Sequence, residues 1–198
     1  MRTTLITGGC LAALLAAAHA AAAQGPPPLP LVREGACPFE CCMYGPWRAR
    51  TAIPVFAAER DSGQPAFRLA PGETVEAVTG NVHVRRAATA VFQRPFRLPR
   101  TITDTLLFVP GDTIYVLDHI SEGVYHVWFR NAPLQMDRQW AYPDEDAAIR
   151  AGARGLADRP PVVEWWVRIR RSDGREGWIL LDPTEPARFD GSDACADG

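Results

Sequence analysis

The sequence contains no lysine, and all 21 of its basic residues are arginine. They stand against 23 acidic residues, so the formal net charge is −2 at pH 7. A slightly acidic chain lacks the basic excess by which proteins attract nucleic-acid phosphates, so we expect no nucleic-acid partner. One basic cluster is interpreted as a solvated or partner-facing surface. It consists of Arg85, Arg86, Arg94, Arg97 and Arg100.

The sequence also lacks an apolar run long enough to cross a membrane. Its most apolar stretch, Leu11 to Ala23, has 13 residues and contains His19, whereas a spanning helix needs about 20 apolar residues. Arg2 ahead of this run and the small residues at its end are typical of a signal peptide. We predict a signal peptide over residues 1–23, export to the periplasm or secretion, and no stable membrane insertion.

Common hydrolase motifs are missing, since the sequence has neither a Gly-x-Ser-x-Gly elbow nor a His-Glu-x-x-His helix. His83, His119 and His126 do not have the spacing of a zinc site, so we expect no metal and no cofactor. Acids such as Glu73 and Asp112 occupy equivalent turn positions, which turn formation already explains. We predict that the protein is not an enzyme. A small hydrolase with two carboxylates stays open, because their separation in space cannot be read from a sequence.

Four cysteines remain when the predicted signal peptide, which contains Cys10, is removed: Cys37, Cys41, Cys42 and Cys195. An even number in an exported chain predicts disulfide bonds. Neighbouring Cα atoms lie only about 3.8 Å apart, so a bond between Cys41 and Cys42 would be strained. We expect Cys37 to pair with one of these two and Cys195 with the other. A thiol-based metal or redox site is the alternative.

Proline-rich and polar segments flank the central part of the chain. Residues 24–46 comprise a stretch with prolines at 26, 27, 28 and 30 and then the cysteine segment, and residues 184–198 form a tail. The proline-rich stretch is typical of a stiff polyproline spacer. It also resembles the peptides that eukaryotic Src-homology-3 domains bind, so binding to the protein itself is the alternative.

A nine-residue pattern occurs twice. Ala70–Val78 (APGETVEAV) returns 39 positions later as Val109–Leu117 (VPGDTIYVL). Pro, Gly, an acid and Thr followed by alternating apolar residues predict a tight turn that opens a half-buried strand. A period of this length is typical of a repeated supersecondary unit. We therefore expect two related pieces of β structure.

Alternating apolar residues elsewhere predict a mainly β protein. Residues 131–161 interrupt the alternation as an insertion with one short helix, which Asp144 caps and Gly155 ends. Within two of the predicted strands, every second side chain is expected in the core. These are Tyr125, Val127 and Phe129 on one strand and Trp165, Val167 and Ile169 on the other.

Short motifs of this chain resemble those of bacterial SH3-like domains. They are the two Pro-Gly-acid turns, Glu122-Gly123 ahead of the strand 127–129, and Gly177-Trp178-Ile179. The resemblance covers about Trp47 to Pro183, and the segment 37–42 looks like one that precedes such domains in exported bacterial proteins.

The resemblance implies an SH3-like barrel architecture. It implies a first module over 47–100 and a second over 101–183 that contains the insertion 131–161. The first module lacks its own Gly-Trp closing strand, so tandem modules and modules that share strands both fit. Trp178 would pack in the barrel core at the start of the last strand.

The strongest candidate binding surface is the strand face with Trp166, Arg168 and Arg170, extended by Arg130 and His126. A guanidinium group can hold a carboxylate while the indole covers the apolar part of the same ligand. The alternative is a solvated face whose arginine stems cover Trp166, or a face packed beneath the insertion.

The resemblance implies a function as well as a fold. An exported SH3-like module of this kind would be a non-catalytic binding module for cell-wall peptide or another envelope component. A stabilising or inhibitory subunit of an envelope enzyme is the second hypothesis, because an arginine-rich surface could block such a partner. A small exported hydrolase is the third.

Overall fold

The computed structural model describes residues 25–61, 63–99, 105–121, 124–137, 153–154, 160–182 and 188–195. These residues form a mainly β protein, which confirms the prediction from apolar alternation. The strands are β1 (Leu31–Arg33), β2 (Gly45–Ala49), β3 (Ile53–Val55), β4 (Phe67–Leu69), β5 (Thr74–Arg86), β6 (Ala88–Phe92), β7 (Phe96–Pro99), β8 (Thr105–Phe108), β9 (Thr113–Ser121), β10 (Val124–Phe129), β11 (Ala132–Asp137), β12 (Ala153–Arg154), β13 (Val162–Arg170), β14 (Glu176–Leu181) and β15 (Phe189–Asp190).

The predicted signal peptide lies wholly outside the described residues. Of the predicted helix from Asp144 to Gly155, only residues 153–154 are described. Where the structure does describe the predicted insertion, it has the strands β11 and β12. No helix within the described ranges has both the length and the apolar character needed to cross a membrane.

The strands form two antiparallel sheets and two separate hairpins. The first sheet has the order β14-β13-β5-β2-β15, with β1 also paired to β5, and the second has the order β11-β10-β9-β6-β12. The hairpins are β3–β4 and β7–β8. Among the described strands both sheets are open, and neither closes into a barrel.

The two sheets repeat one arrangement. The order β14-β13-β5-β2 in the first sheet corresponds to β11-β10-β9-β6 in the second. In the sequence, the β3–β4 hairpin lies between β2 and β5, and the β7–β8 hairpin lies between β6 and β9. The strands of the second sheet lie in the sequence between β5 and β13, which pair with each other. The strand pairing therefore departs from the division at residue 100, because Val162–Leu181 completes the sheet that contains Thr74–Arg86.

The repeated nine-residue pattern forms the same turn in both sheets. Gly72 and Gly111 have φ angles of 82° and 91°, a region that glycine enters without steric cost. The Gly72 N–H donates to Ala49 O at 2.7 Å, and the Gly111 N–H donates to Phe92 O at 2.8 Å. The expectation of two related β units is confirmed at this level.

Each sheet has its own apolar core. Trp47, Trp165 and Ile179 lie in the first core, and Phe92 and Phe108 lie in the second. The predicted core faces of β10 and β13 are confirmed by burial. Trp165, Val167, Ile169 and Val127 are 0% exposed, Phe129 is 4% exposed, and Tyr125 packs against the second core while partly exposed.

Disulfide bonds join the predicted cysteines, which confirms this part of the sequence analysis. Cys37 pairs with Cys42 and Cys41 pairs with Cys195, so each member of the vicinal pair has a different partner. The second bond fastens the C-terminal segment to the start of the first sheet. Disulfides of this kind are consistent with an exported protein.

Candidate functional site

The predicted binding face of β13 lies opposite the first core, as strand alternation requires. Trp166 on this face is nevertheless buried, with 4% of its surface exposed. Its indole contacts the ring of Phe56 edge-on, with 6.0 Å between the ring centroids. Trp166 is therefore a packed residue that lines a surface cleft. The sequence left open whether it is presented to a ligand, covered by arginine stems or packed beneath the insertion, and the ring that packs on it is Phe56.

The connection between β3 and β4 is the reason for this burial. Phe56 at its start exchanges two backbone hydrogen bonds of 2.8 Å with Trp178. Further along, the Glu59 carboxylate accepts a hydrogen bond from Asn81 Nδ2 at 2.5 Å and lies 2.6 Å from His83 Nε2. These contacts hold the connection across the outer face of the first sheet.

A cleft of about 360 Å³ lies between this connection and the sheet. Aromatic and aliphatic side chains supply one part of its lining, and charged side chains of both signs supply the rest. The lining residues are Phe56, Arg60, Asp61, Arg85, Glu164, Trp166 and Leu180.

Glu164 and Arg85 form one charged wall of the cleft. The Glu164 Oε2 atom accepts a hydrogen bond from the Trp166 indole at 3.3 Å, and Oε1 lies 3.6 Å from Arg85 Nε. Both side chains are about one third exposed, at 31% and 36%. An ion pair this exposed is weak, so Arg85 can exchange its partner for a ligand carboxylate at little cost.

Arg60 and Asp61 form the opposite wall. Arg60 is exposed, has a φ of 60°, and makes no ion pair with any residue in the described ranges. Asp61 accepts a hydrogen bond from the Gly63 N–H at 2.8 Å, which fixes the turn beside Arg60. Beside the apolar side chains of its lining, the cleft thus offers one guanidinium group without an ion pair among the described residues and one that is weakly paired.

Arg168 and Arg170 share the face of Trp166 but contact the β13–β14 hairpin. Their Nε atoms lie 3.8 and 2.6 Å from the Glu176 carboxylate. The hydrogen bond from Arg170 lowers the pKa of Glu176 below its usual range, with a smaller contribution from the charges of both arginines. Neither arginine lines the cleft.

Arg130 and His126 belong to the second sheet and are not brought together with Trp166. Arg130 lies 3.1 Å from Asp112 Oδ2 and stacks over the ring of Phe129, with 4.6 Å to its centroid. His126 Nδ1 lies 3.3 Å from Asp118 Oδ1. The five predicted ligand residues therefore occupy four separate places: the cleft, the Glu176 hairpin, the Asp112 turn and the Asp118 position in β9.

Trp178 is not in the core, so its predicted position is wrong. It lies opposite Arg168 on the outer face of the first sheet and is only partly buried. The core-facing position belongs to Gly177, where an added Cβ would lie 2.5 Å from Val55 Cγ1 and 2.7 Å from Phe56 O. Because this position has no room for a side chain, alternation places the indole outside.

Sequence reasoning missed Arg60 and Phe56, and it assigned Arg85 to a solvated or partner-facing surface without chemistry. The cleft depends on how the β3–β4 connection crosses a distant strand, which no local pattern encodes. One available signal was Trp166 itself, because a large aromatic residue on an otherwise polar strand face indicates that another group packs on it. No family model, curated protein or solved structure matches this chain.

Proposed function

We propose that this protein is an exported, non-catalytic SH3-like binding module whose cleft beside Trp166 binds an envelope ligand through the ligand's carboxylate. Cell-wall peptide is the ligand class that the family resemblance implies. The observation that carries the proposal is that Arg60 and Arg85 line one cleft together with Phe56, Trp166 and Leu180.

The chemistry of the cleft suits a peptide end. A guanidinium group binds a carboxylate through charge-assisted, often bidentate hydrogen bonds. Trp166 and Leu180 would contact the aliphatic part of the same ligand, and Leu180 is 39% exposed. Glu164 and Asp61 add acceptors for an ammonium group, which cell-wall peptides also carry.

The SH3-like architecture and the export are part of the proposal. Matching strand orders and matching Pro-Gly-acid turns in the two sheets support small, related β modules. The two disulfides support an oxidising compartment. Catalysis is not proposed, because the arrangement of the cleft is explained by binding alone.

The test uses the mature chain from Gln24, purified cell wall and soluble wall peptides. Arg60→Ala and Arg85→Ala should each weaken peptide binding in calorimetry by about thirtyfold or more, since truncated hot-spot arginines commonly cost 2 kcal/mol or more. Arg175→Ala is the matched control, because Arg175 is 55% exposed and pairs with Asp173 away from the cleft.

The remaining outcomes separate the alternatives. Loss of binding in Arg168→Ala and Arg170→Ala, with Arg60→Ala unaffected, would move the site to the face that the sequence indicated. Capture of one envelope protein at fixed stoichiometry, without cell-wall binding, would support the partner-subunit hypothesis. Turnover of wall fragments by the isolated chain would support the hydrolase.

A further inference from the structure

The segment 188–195 returns to the start of the first sheet through contacts that do not depend on its disulfide bond. Phe189 pairs with Ala49 in β2 and is 3% exposed, because its side chain packs in the first core. The centroid of its ring lies 5.2 Å from that of the Trp47 ring. Phe189 therefore fixes the segment beside the N-terminal cysteines.

Backbone hydrogen bonds continue this docking up to the disulfide itself. The Met43 N–H donates to Ser192 O at 3.1 Å, and the Ala194 N–H donates to Cys41 O at 2.8 Å. These bonds join the two main chains directly beside the Cys41–Cys195 bond. Opening that bond alone therefore leaves both cysteines held close together.

The Asp193 carboxylate lies next to both sulfur atoms of this bond. Its Oδ1 atom accepts a hydrogen bond from the Cys195 N–H at 2.8 Å. A carboxylate oxygen of Asp193 and the sulfur atoms of Cys41 and Cys195 lie within 4.8 Å of one another. In the part of the chain that the structure describes, no other group of three His, Cys, Asp or Glu side chains is close enough to hold a metal ion.

Two thiolates and one carboxylate are a donor set that suits zinc. Zinc binds cysteine sulfur at about 2.3 Å and carboxylate oxygen at about 2.0–2.2 Å in tetrahedral geometry. Thiolate donors favour such a cation over Mg²⁺ and Ca²⁺, which take oxygen ligands. Only a thiolate is a metal ligand, so these sulfur atoms can bind zinc only when the Cys41–Cys195 bond is open.

A dithiol reductant can open this bond from the solvent side. Cys195 is exposed, whereas Cys37, Cys41 and Cys42 are partly buried, and thiol–disulfide exchange requires access to a sulfur atom. One thiolate of the reductant attacks Cys195 Sγ, and the electron pair of the broken S–S bond leaves on Cys41 Sγ. The second thiolate then attacks the reductant's own sulfur in the mixed disulfide and releases the Cys195 thiolate. The reductant is oxidised to a cyclic disulfide, the protein gains two electrons, and the protons of the dithiol pass to the solvent.

We propose that Cys41, Asp193 and Cys195 form a redox-controlled zinc site. In the oxidised protein the two cysteines form the disulfide, and the site cannot bind the metal. In the reduced protein the docked segment 188–195 holds all three ligands in place, and zinc binds them with a fourth position left for water. Disulfide and metal site are thus two redox states of one pair of cysteines, independent of the cleft beside Trp166.

The first experiment compares zinc binding by the oxidised and reduced forms of the chain from Gln24 onward. Dithiothreitol is added until two cysteines react with N-ethylmaleimide, peptide mapping should identify them as Cys41 and Cys195, and the reductant is removed without oxygen. The reduced chain should take one zinc ion from a chromophoric chelator, and the oxidised chain should take none. Cadmium in place of zinc should give a sulfur-to-metal charge-transfer band, which reports thiolate ligation directly.

Variants and labelling identify the ligands. Asp193→Asn should weaken zinc binding by the reduced chain by about tenfold or more, because it removes a charged ligand. Asp190→Asn is the matched control, since Asp190 lies in the same segment but pairs with Arg50. Bound zinc should also protect Cys41 and Cys195 from N-ethylmaleimide. Arg60→Ala should leave zinc binding unchanged, which separates this site from the cleft.

A reduced chain that keeps its far-UV circular dichroism but binds no zinc would overturn the proposal. Equal zinc affinity in Asp193→Asn and the unchanged chain would do the same, as would reaction of Cys37 and Cys42 ahead of the other two cysteines. Unfolding on reduction with zinc present would also overturn it, because the site requires that the segment 188–195 stay docked.

Discussion

At the scale of single residues, burial separates two tryptophans on the outer face of the first sheet. Trp166 is 4% exposed and packs against Phe56, whereas Trp178 is only partly buried beside Arg168. Both have a strand position that faces away from the core. Their different burial comes from the β3–β4 connection, which covers one end of the face and leaves the other more open.

Trp166→Ala should therefore destabilise the protein more than Trp178→Ala. Truncating a buried aromatic typically costs about 3–5 kcal/mol, because contacts are lost and a cavity remains. Truncating the partly exposed Trp178 should cost less free energy of unfolding. Urea denaturation of both variants measures the difference, and equal losses of stability would contradict the burial that the structure assigns to these two residues.

The same residues show how far alternation predicts a site. The sequence correctly placed Trp165 and Val167 in the core and Trp166 on the opposite face. It could not predict that Trp166 is buried, because the covering residue Phe56 is distant in sequence. It also misplaced Trp178, because the steric limit at Gly177 comes from Val55 and Phe56 across the sheet.

At the scale of elements, the two Pro-Gly-acid turns make the same contacts, but their acidic side chains differ in burial. The Glu73 and Asp112 carboxylates each accept a hydrogen bond from the backbone N–H three residues earlier, at 2.9 and 2.8 Å. Each also pairs with an arginine of a following strand or hairpin, Arg171 at 2.7 Å and Arg130 at 3.1 Å. The Asp112 side chain is 4% exposed and that of Glu73 is 21% exposed.

Asp112→Ala should consequently destabilise the protein more than Glu73→Ala. The first substitution removes a buried carboxylate that accepts a part-buried hydrogen bond from the Val109 N–H and pairs with Arg130, and a hydrogen bond to a charged group contributes about 1.5–3 kcal/mol. In the more exposed turn, water can take over the role of Glu73. Thermal unfolding of the two variants makes the comparison, and Asp112→Asn is the control because it keeps an oxygen acceptor.

The β13–β14 hairpin has a different electrostatic property. Glu176 has a pKa below its usual range because Arg170 donates a hydrogen bond to it. A lowered pKa in the folded state means that the charged form stabilises the fold above the ordinary glutamate pKa. That contribution is lost as the pH falls through the lowered value.

Arg170→Ala should return the Glu176 pKa towards its usual range. Carbon-detected NMR titration of the glutamate carboxyls measures this directly. Arg168→Ala should have a smaller effect, since Arg168 Nε lies 3.8 Å from the carboxylate and contributes only through its charge. An unchanged titration curve in Arg170→Ala would show that this hydrogen bond does not form in solution.

Strands and turns were predicted correctly where a local sequence pattern specifies them. The pairing of strands that are distant in sequence was not predicted. The nine-residue repeat indicated both turns and the strands that follow them. The pairing of β13 with β5 was not predicted, because the second sheet intervenes in the sequence and no short pattern identifies the partner of a strand. For the same reason, the predicted modules divide the chain differently from the sheets.

At the scale of the whole molecule, the two disulfides constrain very different lengths of chain. Cys37–Cys42 has a sequence separation of 5, and Cys41–Cys195 has a separation of 154. In the chain-entropy model, the stabilisation grows with the logarithm of the closed loop, to about 5 kcal/mol for the long loop against about 2 kcal/mol for the short one.

Replacing Cys41 and Cys195 together with serine should therefore lower the free energy of unfolding more than replacing Cys37 and Cys42. Guanidinium denaturation of the two double variants tests the order. The unchanged chain from Gln24 onward should give no signal in thiol labelling under denaturing, non-reducing conditions. Two labelled cysteines per chain would contradict the observed pairing.

The nested order of the sheets has a consequence for how the protein folds. Arg86 and Val162, where the chain leaves the first sheet and returns to it, lie opposite each other, and Arg86 donates a hydrogen bond to Pro160 O at 3.3 Å. If the second sheet forms first, it brings these two points together and removes most of the loop-closure entropy that opposes β5–β13 pairing. We therefore expect the second sheet to act as a folding nucleus. The pairing of the C-terminal strands of the first sheet with β5 should then be the final step and set its rate.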